Sequence, residues 1–69
     1  MRYILKKEVA EKLKKTYKNM YIAERLGLSE PYVSSIMNRR KALQKHVAYC
    51  FVKTFDNEAE IKDMFDLVK

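Results

Sequence analysis

The only glycine and the only proline of this 69-residue chain, Gly27 and Pro31, lie within five residues of each other. These two residue types are the ones that most often interrupt helices and strands. Elsewhere the chain is rich in Lys, Glu, Leu, Ala and Met, which are good helix formers. No run alternates apolar with polar residues in the manner of a strand. We therefore expect an all-α fold, with residues 1–69 forming one compact domain that turns at Gly27.

Apolar residues at helical spacing predict five helices. Leu5, Val9 and Leu13 recur every four residues and predict the first helix. Asn19 is a candidate N-cap of the second helix, and Ser29 is a candidate N-cap of the third. The five helices are expected over about 5–16, 20–26, 30–38, 42–55 and from 57 onward.

Residues 19–38 meet the steric demands of a helix-turn-helix, in which two short helices cross at a steep angle. Ala23 provides the small residue that the crossing requires, and Gly27 provides a residue that tolerates positive φ in the turn. Leu28 follows as the apolar plug of the core. Val33 and Ile36 supply the buried face of the second helix of the motif. Ile22 and Leu26 complete the apolar set, so this stretch predicts a helix-turn-helix.

The segment from Ile22 to Ser29, followed by that from Val33 to Arg40, resembles the Cro/repressor family of helix-turn-helix regulators (lambda repressor-like, XRE-type), which is common in phages and bacteria. The resemblance implies a five-helix domain that binds operator DNA as a homodimer and represses or activates transcription. It also implies that Glu30, Pro31, Ser34 and Ser35 read base edges. One departure is that Arg39 follows Asn38, where family members often have glycine.

The outward face of the third helix would enter the major groove of DNA. At 100° per residue, with Val33 facing inward, Ser34, Ser35 and Asn38 point outward. Serine can donate or accept a hydrogen bond, and asparagine can pair with adenine through two bonds. Glu30 either accepts from a cytosine amino group or only complements the helix dipole. The predicted base readers are Glu30, Pro31, Ser34, Ser35 and Asn38.

Phosphate contacts are expected from helix N-termini and from neighbouring cations. The run from Arg39 to Lys41 is the densest positive cluster beside the motif, although it would also suit a solvated loop. Tyr32 flanks the outward face and could reach a phosphate or a thymine methyl group. The predicted phosphate contacts are Lys18, Asn19, Met20, Tyr32, Arg39, Arg40 and Lys41.

The net charge of +6 is unevenly distributed. Residues 1–45 carry 12 basic and 4 acidic residues, a balance of +8, whereas residues 46–69 carry 3 and 5, a balance of −2. This asymmetry indicates a polyanionic partner, double-stranded DNA, for the first part of the chain. A solubilising role for the lysines is the alternative.

The fifth predicted helix has a capping-box pattern at Asn57 and Glu60 and an apolar face. We expect Ile61 and Phe65 to complete the core. The candidates for a dimer interface are Met64, Leu67 and Val68. Within the fourth helix, either Cys50 or Phe51 is expected to face inward. Cys50 lies among Val47, Phe51 and Phe55, and we expect it to be a small core residue rather than a redox sensor.

Several other classes of function have no support in the sequence. One cysteine and one histidine cannot form a four-ligand metal site, and no nucleophile lies at a recognisable spacing from a base. We therefore expect no enzyme activity, no metal, no cofactor and no small-molecule ligand. The expected location is the cytoplasm of a bacterial cell, since no signal peptide or membrane span is apparent. The alternative function is a small phage-type inhibitor, antirepressor or antitoxin that uses the same fold to bind a protein.

Overall fold

The computed structural model describes residues 1–68, which form five α-helices and three β-strands. In chain order the elements are β1 (Arg2–Leu5), α1 (Lys7–Thr16), α2 (Asn19–Leu26), α3 (Glu30–Met37), β2 (Leu43–Gln44), α4 (Lys45–Phe55), α5 (Ile61–Met64) and β3 (Phe65–Val68).

The three strands form an antiparallel sheet in the order β2-β1-β3. The central strand β1 pairs with β3 from Arg2, opposite Val68, to Leu5, opposite Phe65. On its other side it pairs with the two-residue strand β2. The prediction of an all-α fold is therefore wrong, because the two ends of the described chain and the segment after α3 form a sheet.

The sheet was not predicted from the sequence because its strands are too short to show an alternating pattern of apolar and polar residues. Each has four residues or fewer, and the residues of β1 pair with partners in β3 that lie 60 to 66 positions away along the sequence. Such pairing is stabilised by tertiary contacts rather than by local propensity. Leu5, expected to begin the first helix, is instead the buried end of β1, and α1 begins at Lys7.

The second half of the chain also departs from the prediction. The fourth helix begins at Lys45 because the two residues before it pair with β1. The fifth helix is a single turn whose capping box joins Glu60 and Asp63, rather than Asn57 and Glu60. The residues after this turn extend as β3 instead of continuing a helix.

One apolar core lies between the sheet and the helices. Phe51 on α4 is fully buried and packs edge-on against Phe65 on β3, with ring centroids 5.4 Å apart. The prediction that Phe65 completes the core is confirmed, and Ile61 is partly buried against the same core. The prediction that Cys50 is a core residue is wrong: its side chain is exposed, because Phe51 occupies the inward position on α4. The core also contains Leu5, Ala10, Leu13, Ile22, Ala23, Val33, Ile36, Met37, Leu43, Ala48, Val52 and Met64.

Candidate nucleic-acid interface

The α2-turn-α3 segment has the local geometry of a helix-turn-helix. Gly27 ends α2 with a φ of 70°, the left-handed conformation that glycine adopts most readily. The backbone N–H of Leu28 donates to the carbonyl of Ala23 over 3.0 Å and closes the turn. Ala23, Val33 and Ile36 are buried, as predicted.

The start of α3 is capped as the sequence predicts. The side chain of Ser29 accepts a hydrogen bond from the backbone N–H of Tyr32 over 3.4 Å, and Pro31 lies in the first turn. Glu30 lies in the same turn, where its charge complements the helix dipole. Glu30 and Pro31 are exposed, so the tip of α3 is accessible.

The outward face of α3 is polar and open to solvent. Ser34 and Ser35 are half-buried, and Asn38, which ends the helix, is exposed. On the opposite side, Val33 and Met37 are buried in the core. The helix therefore has a buried apolar face and, opposite it, a surface of small polar groups that can form hydrogen bonds with a partner.

The hydroxyl of Ser35 has a defined orientation. Its Oγ atom donates to the carbonyl oxygen of Pro31 over 3.2 Å. A carbonyl oxygen cannot donate, so the hydroxyl proton of Ser35 is committed to the helix backbone. The outward lone pairs of Ser35 then act as acceptors, and they suit an amino group of adenine or cytosine.

The hydroxyl of Ser34 has the complementary orientation. Lys14 Nζ donates to Asn38 Oδ1 over 3.3 Å, and this contact identifies the amide oxygen because an ammonium group only donates. Asn38 Nδ2 then donates to Ser34 Oγ over 3.4 Å. Because Ser34 accepts this bond, its own proton is available to a base acceptor such as guanine O6 or N7.

Lys14 is a residue of this surface that the sequence analysis missed. It lies in the last turn of α1, 24 positions before Asn38, and its ammonium group reaches the end of α3. The sequence carries only a general signal, the pair of lysines at the end of α1. The fold brings the end of α1 within reach of Asn38, and only this tertiary approach identifies Lys14 as the lysine concerned.

The N-terminus of α2 differs in detail from the prediction. The helix begins at Asn19 itself, and Lys18 occupies the N-cap position. The prediction that Asn19 is the N-cap of this helix is therefore wrong. Within the described residues no side-chain hydrogen bond caps this end, so its first backbone N–H groups point outward without an intrahelical partner. Lys18 and Met20 are exposed beside them, and Asn19 is half-buried.

Arg39 has a structural contact that the sequence did not indicate. Its φ is 60°, which is uncommon for a residue with a side chain. Its Nε atom donates to the carbonyl oxygen of Leu5 over 3.0 Å. Part of the guanidinium group therefore joins the loop after α3 to β1.

The other cations of the loop remain at the surface. Arg40 and Lys41 are exposed, and Lys41 Nζ lies 5.3 Å from the centre of the Tyr32 ring. This cation–π distance places the ammonium group next to the flank of α3. The ammonium group of Lys41 and the aromatic ring of Tyr32 thus lie together at the edge of the polar face.

The predicted interface candidates of the last segment lie in different environments. Leu67 and Val68 are exposed, whereas Met64 is buried in the core. No three His, Cys, Asp or Glu side chains within residues 1–68 lie close enough to hold a metal ion. In the same part of the chain, no helix has the length and apolarity needed to cross a membrane.

Comparisons with known proteins do not assign the chain to a group. No family model, no curated protein and no solved structure matches it.

Proposed function

We propose that this protein binds double-stranded DNA sequence-specifically through α3 and regulates transcription in the manner of the Cro/repressor proteins that its motif resembles. The observation that carries the proposal is the polar outward face of α3, on which Ser34 and Ser35 have opposite hydrogen-bonding roles. A base pair in the major groove presents donors and acceptors in a pattern that such a surface can distinguish.

The surroundings of this face support DNA as the partner. Lys14 adjoins the C-terminal end of α3, and Lys41 adjoins its flank at Tyr32. Lys18 lies at the N-terminus of α2, where outward backbone N–H groups favour an anion. Contacts of these kinds bind phosphates and set the register of a reading helix on the duplex.

The mechanism would be a steric block of promoter access. Two copies would place their α3 helices in successive major grooves, roughly 34 Å apart, on a palindromic operator. Glu30 and Pro31 at the exposed tip, together with Ser34, Ser35 and Asn38, would read the bases. The residues that would contact phosphates are Lys18, Asn19, Met20, Tyr32, Arg39, Arg40 and Lys41, and Lys14 is added to this group.

Selection of bound DNA from a random-sequence pool tests the proposal. We expect enrichment of one palindromic site and a steep loss of affinity with salt, because phosphate neutralisation releases counterions. A Ser34→Ala, Ser35→Ala, Asn38→Ala variant should keep only weak binding without sequence preference. Thr54→Ala is the matched control, since Thr54 on α4 makes the same type of bond to a carbonyl four residues earlier. Recovery of no common sequence would contradict the proposal.

A second candidate, a protein-binding inhibitor, antirepressor or antitoxin, is favoured by one observation. Met20 and Tyr21 on α2 are 61% and 44% exposed, and the Tyr21 ring stacks on Tyr17 with centroids 5.1 Å apart. An exposed apolar group of this kind is typical of a protein contact. If DNA selection fails, a Met20→Ser, Tyr21→Ser variant is the reagent with which to test protein partners.

A further inference from the structure

An open depression of about 420 Å³ lies beside α4, and the residues that line it are different from those of the proposed DNA interface. Ligand sites in proteins have volumes of roughly 300–1,000 Å³, so this depression has room for one small molecule. Residues of β1, of α4 and of the start of α5 form it. Its lining residues are Tyr3, Lys45, Tyr49, Lys53, Glu60, Ile61 and Lys62.

The depression carries an excess of positive charge. Three lysines and one glutamate line it, which gives a balance of +2. The glutamate, Glu60, is paired with Lys62 over 3.2 Å, so the excess charge comes from the other two lysines. Neither Lys45 nor Lys53 makes an ion pair within residues 1–68. Such a lining favours an anionic ligand.

An exposed tyrosine lies between these two lysines on α4. Lys45, Tyr49 and Lys53 are four residues apart, so they follow one another along one face of the helix. Lys53 Nζ lies 5.5 Å from the centre of the Tyr49 ring, a cation–π contact. The same ammonium group donates to the carbonyls of Asn57 and Ala59 over 3.0 and 2.9 Å, which holds it in place. Tyr49 remains 54% exposed and presents an aromatic surface to a ligand.

We propose that this depression binds a nucleoside phosphate. The base stacks on the Tyr49 ring, a contact that every nucleobase can make. The phosphate pairs with the ammonium group of Lys45, one helical turn before the ring, and Lys53 adds positive charge beside it. A nucleotide carries its base and its phosphate at opposite ends of one ribose, so it can contact both groups at once.

Ligands with only one of these two chemical groups match the depression less well. Inorganic phosphate would pair with a lysine but would leave the exposed ring of Tyr49 uncovered. An uncharged aromatic molecule would cover the ring but would leave the ammonium groups of Lys45 and Lys53 without an anion. A nucleotide supplies both the aromatic ring and the negative charge.

This site is independent of the DNA-binding surface. No small-molecule site was expected from the sequence, and only the fold assembles this one, since Tyr3 and Ile61 come from opposite ends of the chain. The proposal does not rest on DNA binding by α3, and its test uses no DNA. A failure to bind nucleotide and a failure to bind an operator are therefore separate results.

NMR titration of the isotope-labelled chain with ADP, adenosine and pyrophosphate tests both parts of the proposal. We expect ADP to shift the amide signals of Lys45, Tyr49 and Ile61, and to shift the ring protons of Tyr49 upfield, as stacking does. Adenosine and pyrophosphate each carry only one of the two groups, so each should bind about tenfold more weakly than ADP. Equal affinities for ADP and pyrophosphate would overturn the proposal, because charge alone would then account for binding.

Two substitutions at exposed positions identify the residues that bind. Tyr49→Leu removes the aromatic ring and keeps a good helix former, so it should lower ADP affinity about tenfold and leave pyrophosphate affinity unchanged. Lys45→Met should lower both affinities about fivefold. The matched controls are Tyr21→Leu and Lys7→Met, an exposed tyrosine and an exposed lysine outside the depression, which should bind ADP like the parent. Equal losses in variants and controls, or ADP shifts confined to α2 and α3, would overturn the proposal.

Discussion

Arg39 Nε and the carbonyl oxygen of Leu5 are joined by a 3.0 Å hydrogen bond across 34 positions of sequence. The bond links the loop that follows α3 to the central strand of the sheet. It is made from a backbone with a φ of 60°, so a conformational cost at Arg39 accompanies the contact. The C-terminal end of α3 is thereby attached to the rest of the domain.

Arg39→Ala should therefore destabilise the fold more than Arg39→Gly. Alanine loses the hydrogen bond, worth about 1 kcal/mol, and keeps the positive φ. Glycine loses the same bond but relieves about 1 kcal/mol of backbone strain, so its free energy of unfolding should be close to that of the parent. Urea denaturation of the three proteins measures the order. An equal decrease in the free energy of unfolding for both variants would show that the backbone strain at this position is negligible.

Gly27→Ala should lower stability through the backbone alone. An added Cβ would meet no atom within 4 Å, so no packing conflict arises. The φ of 70° remains unfavourable for alanine by about 1 kcal/mol. In a domain of this size such a loss lowers Tm by about 4–8 °C. Thermal unfolding followed by circular dichroism measures the shift, and a drop several times larger would indicate a disturbed core.

Ser35→Ala should relax discrimination at one base pair of the selected site, with little change in non-specific affinity. The lost acceptor contributes about 1 kcal/mol, which corresponds to roughly fivefold in affinity. Binding to site variants at two salt concentrations separates this effect from phosphate contacts. Thr54→Ala should change neither the discrimination at that base pair nor the non-specific affinity. Uniform weakening across all site variants would contradict base reading by Ser35.

Lys14→Met should weaken binding to every DNA sequence. It should also alter the base preference at the position that Ser34 is proposed to contact. Loss of the ammonium group should remove one phosphate contact. The slope of the logarithm of the binding constant against the logarithm of salt concentration should therefore become shallower by about one. Asn38 then loses the bond that orients its amide, and Ser34 loses its fixed donor role. Lys7→Met, at the exposed start of α1, is the control for charge alone. Identical behaviour of the two variants would contradict the role assigned to Lys14.

Phe51→Ala should abolish or nearly abolish folding. The ring is fully buried and packs against both Phe55 and Phe65. Truncation of such a ring costs about 3–5 kcal/mol, a large part of the stability of a small domain. The near-ultraviolet circular dichroism spectrum and the urea midpoint report the loss. Cys50→Ala, one residue earlier but exposed, should leave both nearly unchanged.

The sequence alone determined the α2-turn-α3 motif because its constraints are local. A small residue at the helix crossing, glycine at the turn and apolar residues at helical spacing need no distant partner to be recognised. The outward position of Ser34 and Ser35 follows from the same periodicity. The Ser29 cap was equally predictable, since its acceptor and donor are three positions apart.

Only the tertiary structure decided the sheet and the contacts that depend on it. Strand β1 exists because residues 65–68 return beside it, and that pairing also ends α5 after one turn. The bond from Arg39 to Leu5 and the approach of Lys14 to Asn38 likewise join residues far apart in the chain. Such contacts leave no periodic signal, because their partners are brought together by burial of the common core rather than by spacing along the sequence.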